Sequence, residues 1–141
     1  PCITRETIRE NLACYAEHGS AVTCTPMFET PIQSGDGKFV GDMPRKSEFY
    51  TAQAPQTFRL GDVLEAHDAV RGENPDYDGI VDTCTLMKSQ GKDVALVRGP
   101  RGNIKVTTPE DIFLFRAMIK YEESENIFGF ANGDIEKGLK K

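Results

Sequence analysis

A helical stripe that runs straight into a β-branched run limits this chain to folds in which helices cover a sheet. In residues 4–19 the apolar positions Ile8, Leu12, Tyr15 and Ala16 recur at i, i+4, i+7 and i+8, the spacing of a helix that buries one face. Thr4 is placed to cap its start and Gly19 to end it in a left-handed turn. Residues 21–25 follow at once, rich in β-branched side chains, and Pro26 closes them, which predicts a buried strand. Together they form the αβ half of a βαβ unit.

The rest of the chain repeats this alternation around one interruption. Residues 31–50 carry the turn cluster Ser34, Gly35, Asp36, Gly37 between short extended stretches at Ile32 and at Phe39 and Val40, which predicts a projecting hairpin arm. Such an arm cannot bury its own apolar residues and calls for a partner surface, such as a second subunit; a mobile surface loop is the alternative reading. Leu60, Val63, Leu64, His67 and Val70 return to helical spacing, and His67 reads as a core or boundary histidine. A loop over residues 73–79 precedes Asp82, which can cap a short helix ending near Gly91. Residues 93–97 read as a compact strand and residues 103–107 as an extended segment. Thr108 at N-cap, Pro109 at the first helical position and acidic Glu110 and Asp111 in the first turn then announce a helix. Its predicted face holds Ile112, Phe115, Met118 and Ile119, and the pattern dissolves beyond Glu123 into a frayed or disordered tail.

Composition narrows the function classes. The 141 residues suit one domain or part of one. A net charge of −5 argues against a nucleic-acid-binding surface or a membrane-attracted chain. No apolar run exceeds five residues, against roughly 20 for a bilayer span, and no signal-peptide pattern is present. These points predict a soluble, cytoplasmic protein. The four cysteines, Cys2, Cys14, Cys24 and Cys84, include no C-x-x-C pair, and two histidines complete no zinc spacing, so the cysteines read as reduced, with Cys14 and Cys24 in the core. The first residue is Pro1, which suggests processing or a piece of something longer.

Alternating helices and buried strands predict an α/β fold with an open, mostly parallel sheet. Such sheets bind ligands at the carboxyl ends of their strands, usually over a glycine-rich turn. No G-x-G-x-x-G or P-loop pattern occurs here.

The run Arg-Gly-Pro-Arg-Gly-Asn-Ile-Lys-Val-Thr-Thr-Pro-Glu-Asp-Ile over residues 98–112 resembles the C-terminal half of the sugar-alcohol phosphate cytidylyltransferases, which act on 2-C-methyl-D-erythritol 4-phosphate in isoprenoid synthesis or on ribitol 5-phosphate in teichoic acid and capsule synthesis. Its most specific part is Asn103, Ile104, Lys105, Thr107, Pro109 and Asp111. Two weaker matches occur in the right order: Gln53-Ala54-Pro55-Gln56-Thr57-Phe58 resembles the family's Gln-Thr-Pro-Gln-x-Phe, and Pro1 with its helix resembles the segment after an Asp-x-x-Arg-Pro. The resemblance runs from Pro1 to about Tyr121.

It implies a Rossmann-like nucleotidyltransferase domain of which residues 1–123 are the C-terminal part, with residues 31–50 a dimerisation arm and residues 124–141 a tail. The glycine-rich nucleotide loop and the carboxylate that holds Mg²⁺ would precede Pro1, so that this chain alone would not catalyse. A polyol phosphate oxygen would attack the α-phosphorus of CTP and release pyrophosphate, so the protein's task is positioning and cationic stabilisation. Lys105 matches the family lysine near the reacting phosphates. The arm would carry Lys46, with Arg45 beside it, into the substrate pocket of a second copy in a homodimer. Gln56 and Asp82 fall at further substrate-binding positions.

Three positions depart from the family pattern. Lys46 replaces an arginine fork. Ala54 stands where a threonine hydroxyl contacts substrate phosphate, and Val81 where Ser or Thr precedes the aspartate matched by Asp82. Both latter changes remove a donor and point to an altered polyol phosphate, while Asp82 has the alternative role of capping its helix. A catalytically silent nucleotide-sugar binding or dimerisation module is the competing reading.

Overall fold

The computed structural model describes residues 2–128, with side chains to residue 124. Pro1 and the predicted tail from residue 129 onward lie outside the described residues. The chain divides into two units, residues 2–103 and residues 104 onward. The first contains helix α1 (Arg5–His18), strand β1 (Ser20–Pro26), a 3₁₀ turn (Lys46–Glu48), β2 (Tyr50–Phe58), α2 (Leu60–Glu73), α3 (Thr83–Ser89) and β3 (Leu96–Arg98). The second contains α4 (Pro109–Phe128).

The α/β class is as predicted, and the described sheet is mixed, in the order β2-β1-β3. β1 pairs with β3 in parallel and with β2 antiparallel. Sequence reading did not recognise β2 as a strand. β2 also carries the sheet's main irregularity. Between the pairs Val22↔Gln56 and Cys24↔Ala52, β1 advances two residues while β2 advances four. A bulge of this kind turns side chains and carbonyls out of the ladder. The third strand begins later than the predicted 93–97. Ser20 Oγ takes its place there, donating to Asp93 O and accepting from the Ala95 N–H, both at 3.2 Å.

Local chemistry sets the helix ends. Thr4 Oγ1 accepts from the Thr7 N–H at 3.1 Å, and Gly19, at φ 75°, donates its N–H to Tyr15 O. The buried face of α1 is not the predicted one. Ile8 and Leu12 are 44% and 52% exposed, whereas Asn11 is fully buried. Asn11 Nδ2 donates to Thr23 Oγ1 at 3.0 Å and to Pro55 O at 3.1 Å, and its Oδ1 accepts from the Thr57 hydroxyl. The carbonyl of Pro55 sits in the bulge, and a buried carbonyl needs a donor. That requirement rotates the helix to bring its polar residues, not its apolar stripe, onto the sheet.

The apolar core lies between α2 and α3, where Ala66, Val70, Leu86 and Met87 pack with Phe58, Val63, Tyr77, Ile80 and Val94. Leu60 and Leu64 of the predicted α2 stripe stay exposed. His67 is a boundary residue, as expected, with Nδ1 3.3 Å from Tyr77 Oη. Cys24 is buried, Cys14 half-buried, and both are free thiols whose pKa values burial pushes up.

In the second unit α4 begins at Pro109 as predicted but runs on through Phe128, past the expected end at Glu123. Residues 103–107 precede it without forming a strand. The Asp111 carboxylate accepts from the Thr107 and Thr108 N–H groups at 2.8 and 2.7 Å and from the Thr107 hydroxyl at 3.0 Å. These bonds, the Thr107 N–H first, hold its pKa down to about 2.

Two substitutions test this packing. Asn11→Ala should lower stability by about 2–4 kcal/mol, because Pro55 O and the Thr57 hydroxyl lose their partner inside the protein. A Cβ on Gly99 would lie 2.5 Å from Thr23 Cγ2 and 2.7 Å from Gln53 Oε1; since Thr23 is fully buried, Gly99→Ala should cost about 1–3 kcal/mol. Urea unfolding measures both, and midpoints unchanged from the parent chain would contradict them.

Candidate functional site

The carboxyl ends of β1 and β3 lie side by side, with Cys24 paired to Arg98, the place where open α/β sheets bind ligands. Three segments meet there: the turn after β1, the start of β2 with the 3₁₀ turn before it, and the loop after β3.

The loop after β3 is fixed by polar contacts. The Gly99 N–H donates to Cys24 O at 2.7 Å, and the Asn103 N–H to Pro100 O at 3.1 Å. Gln53 Nε2 donates to Pro100 O at 3.2 Å, while the buried Asn103 side chain donates to Ala54 O. Gly99 is required for this approach, since any Cβ would collide with Thr23 and Gln53. Gln53 Oε1 is buried without a hydrogen-bond partner among the described residues.

Cations gather around this loop. Arg98 ends β3, exposed. The Arg101 guanidinium lies over the Phe28 ring, 4.1 Å from its centroid. Lys46, the first residue of the 3₁₀ turn, donates from Nζ to the carbonyl of the same Phe28. Arg45 instead makes an exposed pair with Glu48 at 3.9 Å, an interaction of small energy, and it does not take over the position of Lys46.

Gln56 and Asp82 are brought together on each other. Gln56 Nε2 donates to Asp82 Oδ2 at 2.8 Å, and Gln56 Oε1 accepts from the Cys84 N–H at 3.2 Å. Asp82 Oδ1 accepts from the Thr85 N–H and hydroxyl, each at 2.8 Å, which makes it the N-cap of α3. Burial pushes the Asp82 carboxyl up, but hydrogen bonds from Thr85 and Gln56 outweigh it and leave its pKa below 3.8. Val81 beside it is 85% exposed. Ala54 contributes its carbonyl, not a side-chain donor.

Lys105 belongs to the second unit, in the run before α4, where it is exposed. The arm shows the predicted turn: Gln33 bridges to Asp42, Ser34 Oγ donates to Phe39 O at 2.6 Å, and Asp36 accepts from the Lys38 and Phe39 N–H groups. Phe39 is 76% exposed, with Ile32, Val40 and Met43 also in the open. Sequence reasoning quoted Gln53 and Asn103 only as motif letters and missed Phe28 altogether, which no periodicity marks.

Among the described residues no group of three or more His, Cys, Asp or Glu side chains is placed to hold a metal ion. These residues alone do not form a magnesium cage. No helix of the described residues is long and apolar enough to cross a membrane.

Known proteins of the same build can be set beside this geometry. The family model described as 2-C-methyl-D-erythritol 4-phosphate cytidylyltransferase (IspD) matches residues 1–121. Ribitol-5-phosphate cytidylyltransferase of Vibrio parahaemolyticus is 39% identical over 129 residues, covering 92% of this chain and 53% of that protein. The protein of that name from Streptococcus agalactiae is 35% identical over 130 residues, with the same coverage of 92% and 53%. The crystal structure of 2-C-methyl-D-erythritol 4-phosphate cytidylyltransferase from Thermus thermophilus matches with a TM-score of 0.73 and 28% identity, over 85% of this chain and 57% of that one. The chain spans about half the length of the curated relatives it matches.

The Asp82 cap carries a test. Its depressed pKa means that its stabilisation is full above the unfolded value of 3.8 and is lost as pH falls through the lower folded value. Asp82→Ala should cost about 1 kcal/mol at neutral pH. The gap to the parent should narrow once the pH drops below the ordinary carboxylate range, as followed by urea unfolding; a gap independent of pH would contradict the cap.

Proposed function

The chain belongs to the 2-C-methyl-D-erythritol 4-phosphate cytidylyltransferase family, and from that premise we propose that the intact protein transfers CMP from CTP to a sugar-alcohol phosphate and releases pyrophosphate. The observation that carries this reading is the group Lys46, Arg98 and Arg101 at the carboxyl end of the parallel pair, none with a carboxylate partner among the described residues of an acidic protein. Charge accumulates on phosphate oxygens in the transition state, and fixed cations stabilise it.

In this reading Lys105 stabilises the reacting phosphates as a point charge on a flexible stem, and Lys46 binds the acceptor. Gln56 and Asp82 act by fixing the wall that carries them, because their polar atoms are already engaged with each other and with α3. A ribitol 5-phosphate-like acceptor is favoured over methylerythritol phosphate: Ala54 and Val81 lack the hydroxyls of the family pattern, and relatives named for ribitol 5-phosphate reach 39% identity. Residues outside this chain supply the nucleotide loop and the site for Mg²⁺, the arm joins two copies, and the enzyme works in the cytoplasm.

The intact gene product should convert CTP and ribitol 5-phosphate to the CDP-polyol with release of pyrophosphate. Lys105→Met should lower kcat at least about 100-fold, with the folded state unchanged by circular dichroism. Absence of CTP turnover with every polyol phosphate tried would reject the proposal in favour of a silent binding module, and full activity of Lys105→Met would remove that lysine from the mechanism.

A further inference from the structure

We propose that Arg101 binds the acceptor's phosphate monoester directly, paired with Lys46 through their common anchor, Phe28. The inference rests on the cytidylyl-transfer reading above and adds a residue to its acceptor site.

Two cations from separate segments converge on one residue. Lys46 donates to the Phe28 carbonyl and retains two of its three donors. The guanidinium carbon of Arg101 lies over the Phe28 ring, 4.1 Å from its centroid. The ring holds this cation through its π face, and no described residue accepts a hydrogen bond from the guanidinium, which leaves its N–H donors for a ligand and its fork suited to phosphate oxygens.

The backbone that presents Arg101 is held on both sides. Gly99 is bound to Cys24, Pro100 O accepts from Gln53 and from the Asn103 N–H, and the Asn103 side chain reaches Ala54. Gln53 Oε1 has no donor among the described residues in this arrangement, a loss that ordinarily destabilises. The aromatic stack then limits the side chain itself, so little freedom remains to be lost on binding.

Charge identifies the ligand. Arg45 and Arg71 are paired with Glu48 and Asp68 at 3.9 and 3.3 Å. Arg101 and Lys46 have no carboxylate partner among the described residues of a chain whose net charge is −5, and their common contact with Phe28 sets them apart from the other unpaired cations. Two uncompensated cations on one anchor suit a dianionic phosphate monoester.

Isothermal titration of the intact gene product with ribitol 5-phosphate, CTP and inorganic phosphate tests this, using Arg101→Met, Arg101→Lys and the remote control Arg71→Met. Arg101→Met should weaken ribitol 5-phosphate about tenfold or more and Arg101→Lys by less. CTP affinity should stay within about twofold, and Arg71→Met should match the parent. Unaltered ribitol 5-phosphate binding by Arg101→Met overturns the inference, as does an equal loss of CTP. Arg101→Lys decides by the same criteria if the methionine variant fails to fold. Should the parent have no affinity for ribitol 5-phosphate, the acceptor assignment under the proposed function falls. The Arg101 inference is then judged on inorganic phosphate, supported by weaker binding in Arg101→Met and overturned by equal binding or by none in the parent.

Discussion

Two backbone carbonyls in the middle of β2, those of Ala54 and Pro55, govern this structure. The two extra residues of β2 remove Gln53–Pro55 from the register with β1, and a carbonyl turned out of the ladder near the centre of a sheet must find a donor elsewhere. Asn11 supplies one from α1 and Asn103 supplies the other from the loop after β3. Each amide thereby docks a different segment onto the sheet. The orientation of α1 and the course of residues 99–103 are consequences of one local irregularity.

The site follows from the same constraint. With the loop after β3 tied to β2, Arg98 and Arg101 are presented at the carboxyl end of the parallel strands, and Phe28 collects Arg101 on its ring and Lys46 on its carbonyl. Rigid placement matters for phosphoryl chemistry, in which the protein's contribution is positioned charge more than bond-making. Asp82, which the family resemblance puts at a substrate-binding position, caps α3 and is held by Gln56.

What the sequence made legible was local. The start of α1, the cap of α3 and the start of α4 were readable because each depends on a side chain within four residues of the backbone group it satisfies, as Thr4, Asp82 and Asp111 do. The buried face of α1 was not, because periodicity weighs apolar residues and here a polar one, Asn11, is drawn inward by a carbonyl 44 residues away in sequence. β2 escaped notice because its glutamines and Pro55 interrupt any alternation. Lys46, Gln56 and Asp82, and Lys105 in the second unit, were singled out through the family resemblance, whereas the contact of Arg101 with Phe28 joins two segments that no spacing rule connects.

The central claim is that side-chain amides lock the loop after β3 to the sheet, and amide hydrogen exchange of the chain tests it most directly. The account predicts that the Gly99 N–H and the side-chain amide of Asn103 exchange as slowly as the N–H of Val22 in the centre of the sheet. Exchange at those positions as fast as at Gly35 in the exposed arm turn would contradict it.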